Sequence, residues 1–300
     1  MTKDFMQGSK FSSKAKAEGK VIIVTGSNTG IGKETAHELA RRGGTVYLAC
    51  RDMAKCEEAR KSIILDTKNR AVYCRELDLA SFQSIRNFVK HFKAEQSRLD
   101  VLINNAGVMR CPRGVTSEGF ELQIGVNHMG HFLLTHLLLD YLKVSTPSRI
   151  VNVSSIAHTR GEINTADLNS EKSYDEAKAY EQSKLANVLF TRELAKRLEG
   201  SNVTVNALHP GLVDTEIIRH MGVFNSFFAK VFVYPLVWPF LKSPVSGAQT
   251  SLYCALNPEL EKVTGKYFAD CKESPVAPQA EDDTMAKFLW KVSEKWCRIE

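Results

Sequence analysis

Residues 20–32 read Lys-Val-Ile-Ile-Val-Thr-Gly-Ser-Asn-Thr-Gly-Ile-Gly, and this stretch decides the fold. It begins as a run of β-branched residues, which is typical of a buried strand, and good helix formers follow it over 33–42. Glycines between a strand and a helix let the backbone approach a pyrophosphate, which the N–H groups of the helix N-terminus can bind. The stretch therefore predicts a dinucleotide-binding β–α unit, although its Gly-x-x-x-Gly-x-Gly spacing leaves an ordinary β–α turn as the alternative.

The rest of the chain alternates in the same way between short apolar runs and longer helical patterns. The predicted strands lie near 21–25, 45–50, 71–76, 101–104, 149–154, 203–208 and 266–268. The predicted helices lie over 30–42, 52–66, 81–96, 118–143, 175–199 and 245–256. Because strands that alternate with helices form a parallel sheet, we expect an α/β fold with a single Rossmann-type, doubly wound parallel sheet of about seven strands flanked by helices.

The chain reads as one folded unit after a polar and basic start. Residues 1–18 have no apolar core stretch, so they are expected to be a flexible N-terminal segment and not a signal peptide. Residues 19–300 contain no linker and are expected to form a single dinucleotide-binding catalytic domain. Ligands of doubly wound sheets bind at the C-terminal ends of the strands, and we therefore expect the site residues to lie there.

The second predicted strand ends at Cys50 and is followed directly by Arg51. In a Rossmann unit that binds NAD, an acidic residue near the place of Cys50 would bind the 2′-hydroxyl of the ribose. A thiol cannot make that pair of hydrogen bonds, whereas a guanidinium binds a phosphate in bidentate fashion. The pattern favours NADP(H) over NAD(H), with Asp52 as the opposing observation and a solvated surface arginine as the alternative for Arg51.

Tyr180 and Lys184 are four residues apart in a predicted helix, so their side chains lie on one face. A phenol has an unperturbed pKa of about 10, and an ammonium beside it favours the phenolate and lowers that pKa. Such a pair can give and take a proton in carbonyl–alcohol chemistry. A solvated helix face is the alternative reading of this spacing alone.

These motifs together resemble those of the short-chain dehydrogenase/reductase family, and further motifs follow in the order that the family has. They are Leu77-Asp78-Leu79, Asn104-Asn105-Ala106-Gly107, Asn127 before a helix, Val153-Ser154-Ser155 and His209-Pro210-Gly211. The stretches 28–35, 49–52, 125–132, 183–190 and 251–255 are similar to the NADP-dependent retinol dehydrogenase branch. The resemblance implies an NADP(H)-dependent oxidoreductase that interconverts a lipophilic aldehyde and its alcohol, retinal and retinol above all.

The resemblance also implies roles in catalysis for particular side chains. Tyr180 would give a proton to the carbonyl oxygen, and Lys184 would lower the pKa of that phenol and bind the nicotinamide ribose. Ser155 would hydrogen-bond the substrate oxygen, with its neighbour Ser154 as the rival for that position. Asn127 would hold a helix kink and a water molecule that connects the lysine to solvent, a helix cap or a polar core residue being the alternative.

The cofactor contacts that the resemblance implies fall at the glycine loop and at the strand ends. The pyrophosphate would lie against Gly26, Ser27, Gly30, Ile31 and Gly32, and the 2′-phosphate against Arg51. The adenine and its ribose would lie against Asp78, Leu79, Asn105, Ala106 and Gly107. The nicotinamide end would meet Tyr180, Lys184, Pro210, Gly211, Val213 and Thr215. Because the nicotinamide carries the hydride, no metal ion is expected.

Two segments interrupt the alternation. Residues 156–178 form a polar connection that is longer than most, and we expect a partly ordered surface loop that leaves Ser155 in place. Residues 223–241 read VFNSFFAKVFVYPLVWPFL, and their aromatic residues predict a mobile apolar lid, near 216–245, that covers a lipophilic substrate and touches a membrane. A helix–loop packed on the domain is the alternative, and Pro235 and Pro239 argue against a membrane-spanning helix.

The composition limits the partners and the compartment. The net charge of +6 is modest and no basic run has interleaved aromatic residues, so nucleic acid is not an expected partner. The seven cysteines are widely spaced without a Cys-x-x-Cys pair, which predicts free thiols in a reducing compartment. We expect an intracellular protein, cytoplasmic or peripheral on a membrane such as the endoplasmic reticulum, with a homodimer left open. A carbonyl reductase acting on steroids, fatty aldehydes or xenobiotics and a non-catalytic NADP-binding sensor are the alternative functions.

Overall fold

The predicted strands assemble into one sheet in the computed structural model, which describes residues 7–213 and 241–299. Their bounds are β1 Val21–Thr25, β2 Thr45–Cys50, β3 Val72–Glu76, β4 Val101–Asn104, β5 Ser148–Val153, β6 Val203–His209, β7 Tyr267–Ala269 and β8 Lys272–Glu273. The order is β3-β2-β1-β4-β5-β6-β7-β8, and neighbouring strands from β3 to β7 are parallel. The strand order reverses between β1 and β4, which opens a crevice at the C-terminal ends of the strands and confirms the doubly wound α/β fold.

The edge strand β8 was not predicted from the sequence. It pairs antiparallel with β7 through a hairpin whose two connecting residues, Asp270 and Cys271, have φ angles of 54° and 57°. Both angles are left-handed, as a tight two-residue hairpin turn requires. An Asp-Cys pair does not carry the glycine that marks such a turn in a sequence, and a polar strand of two residues has no apolar pattern.

Helices cover both faces of the sheet. Their bounds are α1 Gly30–Arg41, α2 Met53–Thr67, α3 Phe82–Glu95, α4 Gly130–Val144, α5 Glu176–Arg197, α6 Pro244–Leu256 and α7 Asp283–Cys297. One apolar cluster joins α1, α2 and α6 to the sheet, and a second joins α3, α4, α5 and α7 to it. The central strand β1 is buried at all its positions, as expected for a parallel strand that is covered on both sides.

The helix predicted over 118–143 starts later and is not uniform. The chain first turns at Gly119, where φ is 86°, and then forms a short α-helical turn at Leu122–Ile124. Five residues, Gly125–Met129, follow as a π-helical turn before α4 begins. A π turn inserts one residue into the helical repeat, and the apolar periodicity of a sequence does not reveal that insertion.

The C-terminal helix α7 was also not predicted. Its N-cap is Asp282, whose carboxylate accepts hydrogen bonds from the backbone N–H groups of Thr284 and Met285. On its inner face, Ser293 Oγ lies 2.9 Å from His128 Nε2 in the π turn, and Cys297 Sγ donates to the Met129 carbonyl. The last helix therefore packs directly on the π turn that carries Asn127.

Residues 7–18 are docked on the domain, whereas the sequence predicted a flexible segment over 1–18. Phe11 is buried, and its ring stacks edge-on against Tyr253 of α6 at 6.0 Å. Its backbone N–H donates to the side chain of Gln249 at 3.0 Å, and the Arg42 guanidinium lies 5.0 Å from its ring. One aromatic residue in a polar stretch gives no periodic signal, so its packing depends on the tertiary fold.

The connection 156–178 packs against α5 and keeps Ser155 in place. Ile156–Arg160 form a 3₁₀-helix whose N-cap is Ser155, and the Ser155 carbonyl accepts a hydrogen bond from His158 Nδ1 at 2.7 Å. Farther along, Gln182 of α5 accepts from the Asn164 N–H at 2.9 Å and donates to the Leu168 carbonyl at 3.1 Å. The connection therefore folds back on the helix that carries Tyr180.

Candidate active site

A cleft of about 370 Å³ opens at the C-terminal ends of the central strands, between the glycine loop and α5. It brings together most of the residues that the sequence singled out, namely Gly26, Gly30, Ile31, Gly32, Arg51, Asp78, Leu79, Asn105, Ala106, Gly107, Ser155, Tyr180, Lys184, Pro210, Gly211 and Val213. Ser27 and Asn127 do not line it, and Thr215 lies outside the described residues. Residues from sequence positions far apart therefore share one site.

The glycine loop forms one end of this cleft. Gly26 has a φ of 64°, and a Cβ on Gly32 would collide with the Gly26 carbonyl oxygen and the Asn105 side chain, so the loop needs glycine at both places. The N-cap of α1 is Thr29, which makes no side-chain hydrogen bond to the first N–H groups of the helix. An uncapped helix N-terminus that lines a cleft suits an anionic pyrophosphate.

The Ser27 side chain holds the glycine loop to β1 and does not line the cleft. Its side chain is fully buried, where Oγ donates to the Val24 carbonyl at 2.8 Å and lies 3.6 Å from Cys50 Sγ. The sequence placed Ser27 around the pyrophosphate, and the structure turns its hydroxyl away from the cleft. The hydroxyl closes the turn after β1 because its nearest acceptor is a carbonyl of that strand.

Arg51 lies at the end of β2, where the sequence placed it, and lines the cleft. It is exposed, and its guanidinium makes no hydrogen bond or ion pair within residues 7–213 and 241–299. Asp52 beside it is the N-cap of α2, and its carboxylate accepts from the Lys55 N–H at 3.0 Å. One oxygen of the acidic neighbour thus caps a helix, while Asp52 also lines the cleft beside Arg51.

Tyr180 and Lys184 lie on adjacent turns of α5, nearly buried, with Nζ of the lysine 5.6 Å from the centroid of the tyrosine ring. Burial raises the pKa of Tyr180 to about 12, while interaction with Ser155 and the charge of Arg110 act in the opposite direction. Burial lowers the pKa of Lys184 to about 8. The sequence argument expected a lowered phenol pKa, and in this structure removal from water outweighs the attraction of nearby cations.

The structure separates the roles of the two adjacent serines. Ser154 Oγ is buried and donates to the Lys184 carbonyl at 2.7 Å, so its hydroxyl proton holds α5 to the end of β5. Ser155 Oγ accepts from the Ala157 N–H at 3.2 Å and keeps its own proton for a group in the cleft. This difference favours Ser155 over Ser154 as the residue that meets a substrate oxygen.

Asn127 lies behind the cleft wall, at the centre of the π turn. Its Oδ1 accepts from the Val108 N–H at 2.8 Å, and its Nδ2 donates to the Val108 carbonyl and to Ser183 Oγ, each at 2.9 Å. A Cβ on Gly107 would lie 3.1 Å from Asn127 Oδ1 and 3.6 Å from Lys184 Nζ. The amide therefore fastens the loop after β4 to α5, next to the lysine ammonium.

Sequence reasoning missed some residues of the cleft. Met109, His209, Leu212, Asn28 and Lys55 also line it, although none of them was proposed as a site residue. Each is a close sequence neighbour of a residue or motif that was recognised, and that adjacency was the available signal. Met109 and Leu212 add apolar surface to the cleft that Tyr180 lines, which suits an apolar substrate.

Three further findings concern only the part of the chain that the structure describes. No group of three or more histidine, cysteine, aspartate and glutamate side chains there is arranged to hold a metal ion. Among the helices of the same residues, none is both long enough and apolar enough to cross a bilayer. All seven cysteines are free thiols.

The comparisons with known proteins agree with this geometry. Human retinol dehydrogenase 13 is 54% identical over 301 residues, which cover 100% of this chain and 91% of that protein. A crystal structure of a putative uncharacterized protein from Mycobacterium paratuberculosis is 37% identical, covers 98% of both chains and has a TM-score of 0.78. A Pseudomonas aeruginosa RhlG/NADP active-site complex is 25% identical, covers 84% of this chain and 95% of that one, and has a TM-score of 0.68.

The family described as short chain dehydrogenase matches residues 20–222, a range that begins one residue before β1 and includes the glycine loop, Ser155, Tyr180 and Lys184. On this match, and on the full-length similarity to human retinol dehydrogenase 13, the chain belongs to the short chain dehydrogenase family.

Proposed function

We propose that this protein is an NADP(H)-dependent oxidoreductase that interconverts a lipophilic aldehyde and its alcohol, with retinal and retinol as the substrate pair. As a short chain dehydrogenase, the chain is an oxidoreductase that uses a nicotinamide cofactor. The observation that carries the proposal is the convergence of Ser155, Tyr180 and Lys184 in a cleft whose other end is an uncapped helix N-terminus.

The cleft has residues suited to two parts of the cofactor, the pyrophosphate and the nicotinamide end. The loop from Gly26 to Gly32 would hold the pyrophosphate on the N–H groups that Thr29 leaves uncapped, and the nicotinamide end would lie beside Tyr180 and Lys184. When bound, the nicotinamide supplies or accepts the hydride. Pro210 and Gly211 would hold its carboxamide from the end of β6.

The side chains of this protein would handle the proton and the developing charge. Tyr180 gives its hydroxyl proton to the substrate oxygen during reduction and takes a proton back during oxidation. Ser155 donates a hydrogen bond to the same oxygen and stabilises negative charge as it develops. The Lys184 ammonium favours the phenolate that forms on Tyr180, and Asn127 holds the loop beside that ammonium.

NADP(H) is the cofactor we propose, in preference to NAD(H). Arg51 is exposed in the cleft, and its neighbour Asp52 uses one carboxylate oxygen to cap a helix. A guanidinium at this place pairs with a 2′-phosphate, and an NAD site would place an acidic group there. The solved RhlG structure of the same fold is an NADP complex, which supports the cofactor class.

Retinal and retinol are proposed from the similarity to human retinol dehydrogenase 13 and from the apolar lining of the substrate end. Val108, Met109, Leu122 and Leu212 are apolar residues in the lining of the cleft that Tyr180 also lines. A long apolar aldehyde could lie along this surface with its oxygen at Ser155. The alternatives of a steroid, a fatty aldehyde or another carbonyl compound share this chemistry and are separated by the assay below.

We further propose that the segment 223–241 covers the substrate and touches a membrane surface, although it lies outside the described residues. The described residues on either side of 214–240 meet at the edge of the cleft: the Lys242 N–H donates to the Leu212 carbonyl at 2.8 Å, and Val213 pairs with Lys242. A segment that leaves and returns at this edge, and that is rich in aromatic residues, suits a lipophilic substrate. A peripheral position on an intracellular membrane follows from this proposal, and a homodimer stays a prediction.

The test of the proposed function is the oxidation of NADPH by the purified protein with all-trans-retinal, a steroid ketone and a medium-chain aldehyde. We expect the highest kcat/KM with all-trans-retinal. A higher kcat/KM with the steroid ketone or the medium-chain aldehyde would support the proposed reaction but would show that retinal is not the preferred substrate. NADPH binding without turnover of any carbonyl compound would contradict the proposed activity and favour a sensor.

A further inference from the structure

A buried histidine outside the cleft connects the two residues that hold the loop after β4. His131 is the second residue of α4 and is only 2% exposed. Its Nδ1 lies 3.1 Å from the Asn127 carbonyl oxygen, and its Nε2 lies 2.9 Å from Thr25 Oγ1. Thr25 ends β1 immediately before the glycine loop, so the imidazole bridges β1 and the π turn.

The partners of the ring determine which nitrogen carries the proton. A carbonyl oxygen can only accept, so Nδ1 must carry the hydrogen that it donates to Asn127. Burial lowers the pKa of His131 to about 4, and the charge of Lys184 acts in the same direction, so the ring is neutral at pH 7. A neutral ring protonated on Nδ1 accepts at Nε2, and the hydroxyl of Thr25 therefore donates to it.

Thr25 holds the beginning of the cleft loop by the same oxygen. With its proton directed to His131, Thr25 Oγ1 accepts hydrogen bonds from the backbone N–H groups of Asn105 and Ala106, both at 2.9 Å. The Ile103 carbonyl, at 3.4 Å, is a more distant acceptor for the hydroxyl than the imidazole. The donor direction at His131 thus leaves this oxygen free to accept from both N–H groups.

Asn127 holds the end of the same loop. Its amide makes a pair of hydrogen bonds with the backbone of Val108, and one with Ser183 of α5. The loop 105–108 is therefore fastened at its start by Thr25 and at its end by Asn127, and His131 joins these two residues. Asn105, Ala106, Gly107 and Val108 all line the cleft.

We propose that His131 is a positioning residue: by donating to Asn127 from Nδ1 and accepting from Thr25 at Nε2, it holds the loop 105–108 and Asn127 in the arrangement that cofactor binding and proton transfer require. It touches neither cofactor nor substrate. The link to Thr25 serves the cofactor-binding side of the loop, and the link to Asn127 serves the side next to Lys184. The kinetic part of this inference rests on the proposed function.

Two conservative substitutions separate the two links. In His131→Asn the amide takes the place of Nδ1, which keeps the donor to Asn127 and removes the acceptor for Thr25. In His131→Gln the amide reaches the place of Nε2, which keeps the link to Thr25 and removes the donor to Asn127. His136→Asn is the matched control, since His136 lies on the same helix and its Nδ1 has no hydrogen-bond partner.

The experiment measures the Kd for NADPH by calorimetry, kcat and KM with all-trans-retinal, and Tm, for the wild type and these three variants. We expect His131→Asn to weaken NADPH binding by about fivefold, the loss of one hydrogen bond. We expect His131→Gln to lower kcat by about 10- to 100-fold, through misplacement of Asn127, with a smaller change in the Kd for NADPH.

A purely structural histidine would give a different result. Both His131 variants would then lose Tm while the Kd for NADPH and kcat, measured well below Tm, stayed at the values of His136→Asn, and this would overturn the inference. If either variant fails to fold, the other still tests its own link. A wild type that binds NADPH but reduces no retinal would refute the proposed function, while the binding measurements on His131→Asn would still decide the link to Thr25.

Discussion

Burial decides the proton affinities of the two groups that the Tyr-x-x-x-Lys spacing brings together. Tyr180 and Lys184 are almost completely removed from water, and each has the pKa shift that disfavours its charged form. The lysine therefore carries its charge at pH 7 at a cost in stability. Burying such a group lowers the stability of the fold, and groups with shifted pKa values of this kind are concentrated at functional sites.

The first prediction concerns the stability cost of Lys184. The folded pKa of Lys184, about 8, lies below the ordinary lysine value of 10.5, so below pH 8 both the folded and the unfolded state bind the proton and the full cost is present. We expect Lys184→Met to raise the free energy of unfolding at pH 7 by about 1–3 kcal/mol, after allowance for the lost bond to Val153. Between pH 8 and 10.5 the wild type recovers stability because its folded state releases the proton first. The difference in the free energy of unfolding between Lys184→Met and the wild type should therefore shrink over this range.

Urea denaturation at pH 7 and pH 10 measures this difference. Lys178→Met, at an exposed position of the same helix, is the control and should show no such change with pH. A Lys184→Met protein that is less stable than the wild type at pH 7, by a margin independent of pH, would contradict the prediction.

Tyr180 is expected to be the proton donor, and Tyr180→Phe removes only its hydroxyl. We expect turnover of retinal to fall by at least about 100-fold, the lower range for a general acid, with NADPH binding retained. Tyr174→Phe is the control, because the Tyr174 hydroxyl donates to the Cys111 carbonyl away from the cleft. A Tyr180→Phe protein with more than about one tenth of the wild-type kcat would contradict the role of Tyr180 as the proton donor.

Arg51 is expected to set the choice between the two nicotinamide cofactors. Arg51→Asp places a carboxylate where the 2′-phosphate would bind, so we expect the preference for NADPH over NADH to be lost or reversed. The ratio of kcat/KM for the two cofactors measures it. Arg70→Asp makes the same charge change at an exposed position outside the cleft lining and should leave the ratio unchanged. Equal binding of NADH and NADPH by the wild type would refute the argument.

At the scale of elements, connections and turns decide what reaches the cleft. The π turn Gly125–Met129 places Asn127 between the loop after β4 and α5, which a regular helix with the same sequence would not do. The connection 156–178 folds onto α5 and leaves Ser155 at the cleft. The described residues that flank 214–240 are joined by the pairing of Val213 with Lys242.

That joining motivates a prediction for the segment 223–241, which we propose as a lid. Replacing Phe227, Phe228 and Trp238 together by serine should raise KM for retinal more than KM for a short soluble aldehyde, because the apolar cover is lost. The same variant should bind anionic vesicles less well in co-sedimentation. Leu65→Ser and Val144→Ser, at exposed apolar positions elsewhere, are the controls. Equal changes in KM for both aldehydes, with vesicle binding unchanged, would show an ordinary packed segment.

At the scale of the whole molecule, both ends of the described chain pack on the domain. α7 covers the π turn through Ser293 and Cys297, and the N-terminal segment covers α1 and α6 through Phe11. The two ends of the described chain thus pack on opposite faces of the sheet. α7 packs on the π turn that carries Asn127, and the N-terminal segment packs on α6. Neither contact was predicted from the sequence.

The last prediction tests the docking of the N-terminal segment. Phe11→Ala removes a buried ring that contacts Tyr253 and Arg42, and we expect the free energy of unfolding to fall by about 2–3 kcal/mol. Lys10→Ala, at an exposed neighbouring position, is the control and should change it little. Equilibrium denaturation compares them, and equal stability of the two variants would mean that residues 7–18 do not stabilise the domain.

The sequence by itself determined the parts of this protein that depend on neighbours in the chain. The strand run 21–25, the glycines of the loop and the spacing of Tyr180 and Lys184 are local patterns. With the alternation of strands and helices they predicted the doubly wound fold, and with the family resemblance they led to most of the residues that line the cleft. Local patterns succeed here because strand propensity, glycine conformations and helical spacing act over a few residues.

Only the tertiary structure decided how those parts are held. It turned the Ser27 hydroxyl away from the cleft, assigned Ser154 to the backbone of α5, and raised the pKa of Tyr180 where the spacing alone predicted a lower one. It also closed the hydrogen bonds from Thr25 through His131 to Asn127, which join residues about a hundred positions apart in the chain. The physical reason is that burial and hydrogen-bond partners depend on which distant segments pack together, and no local pattern specifies that packing.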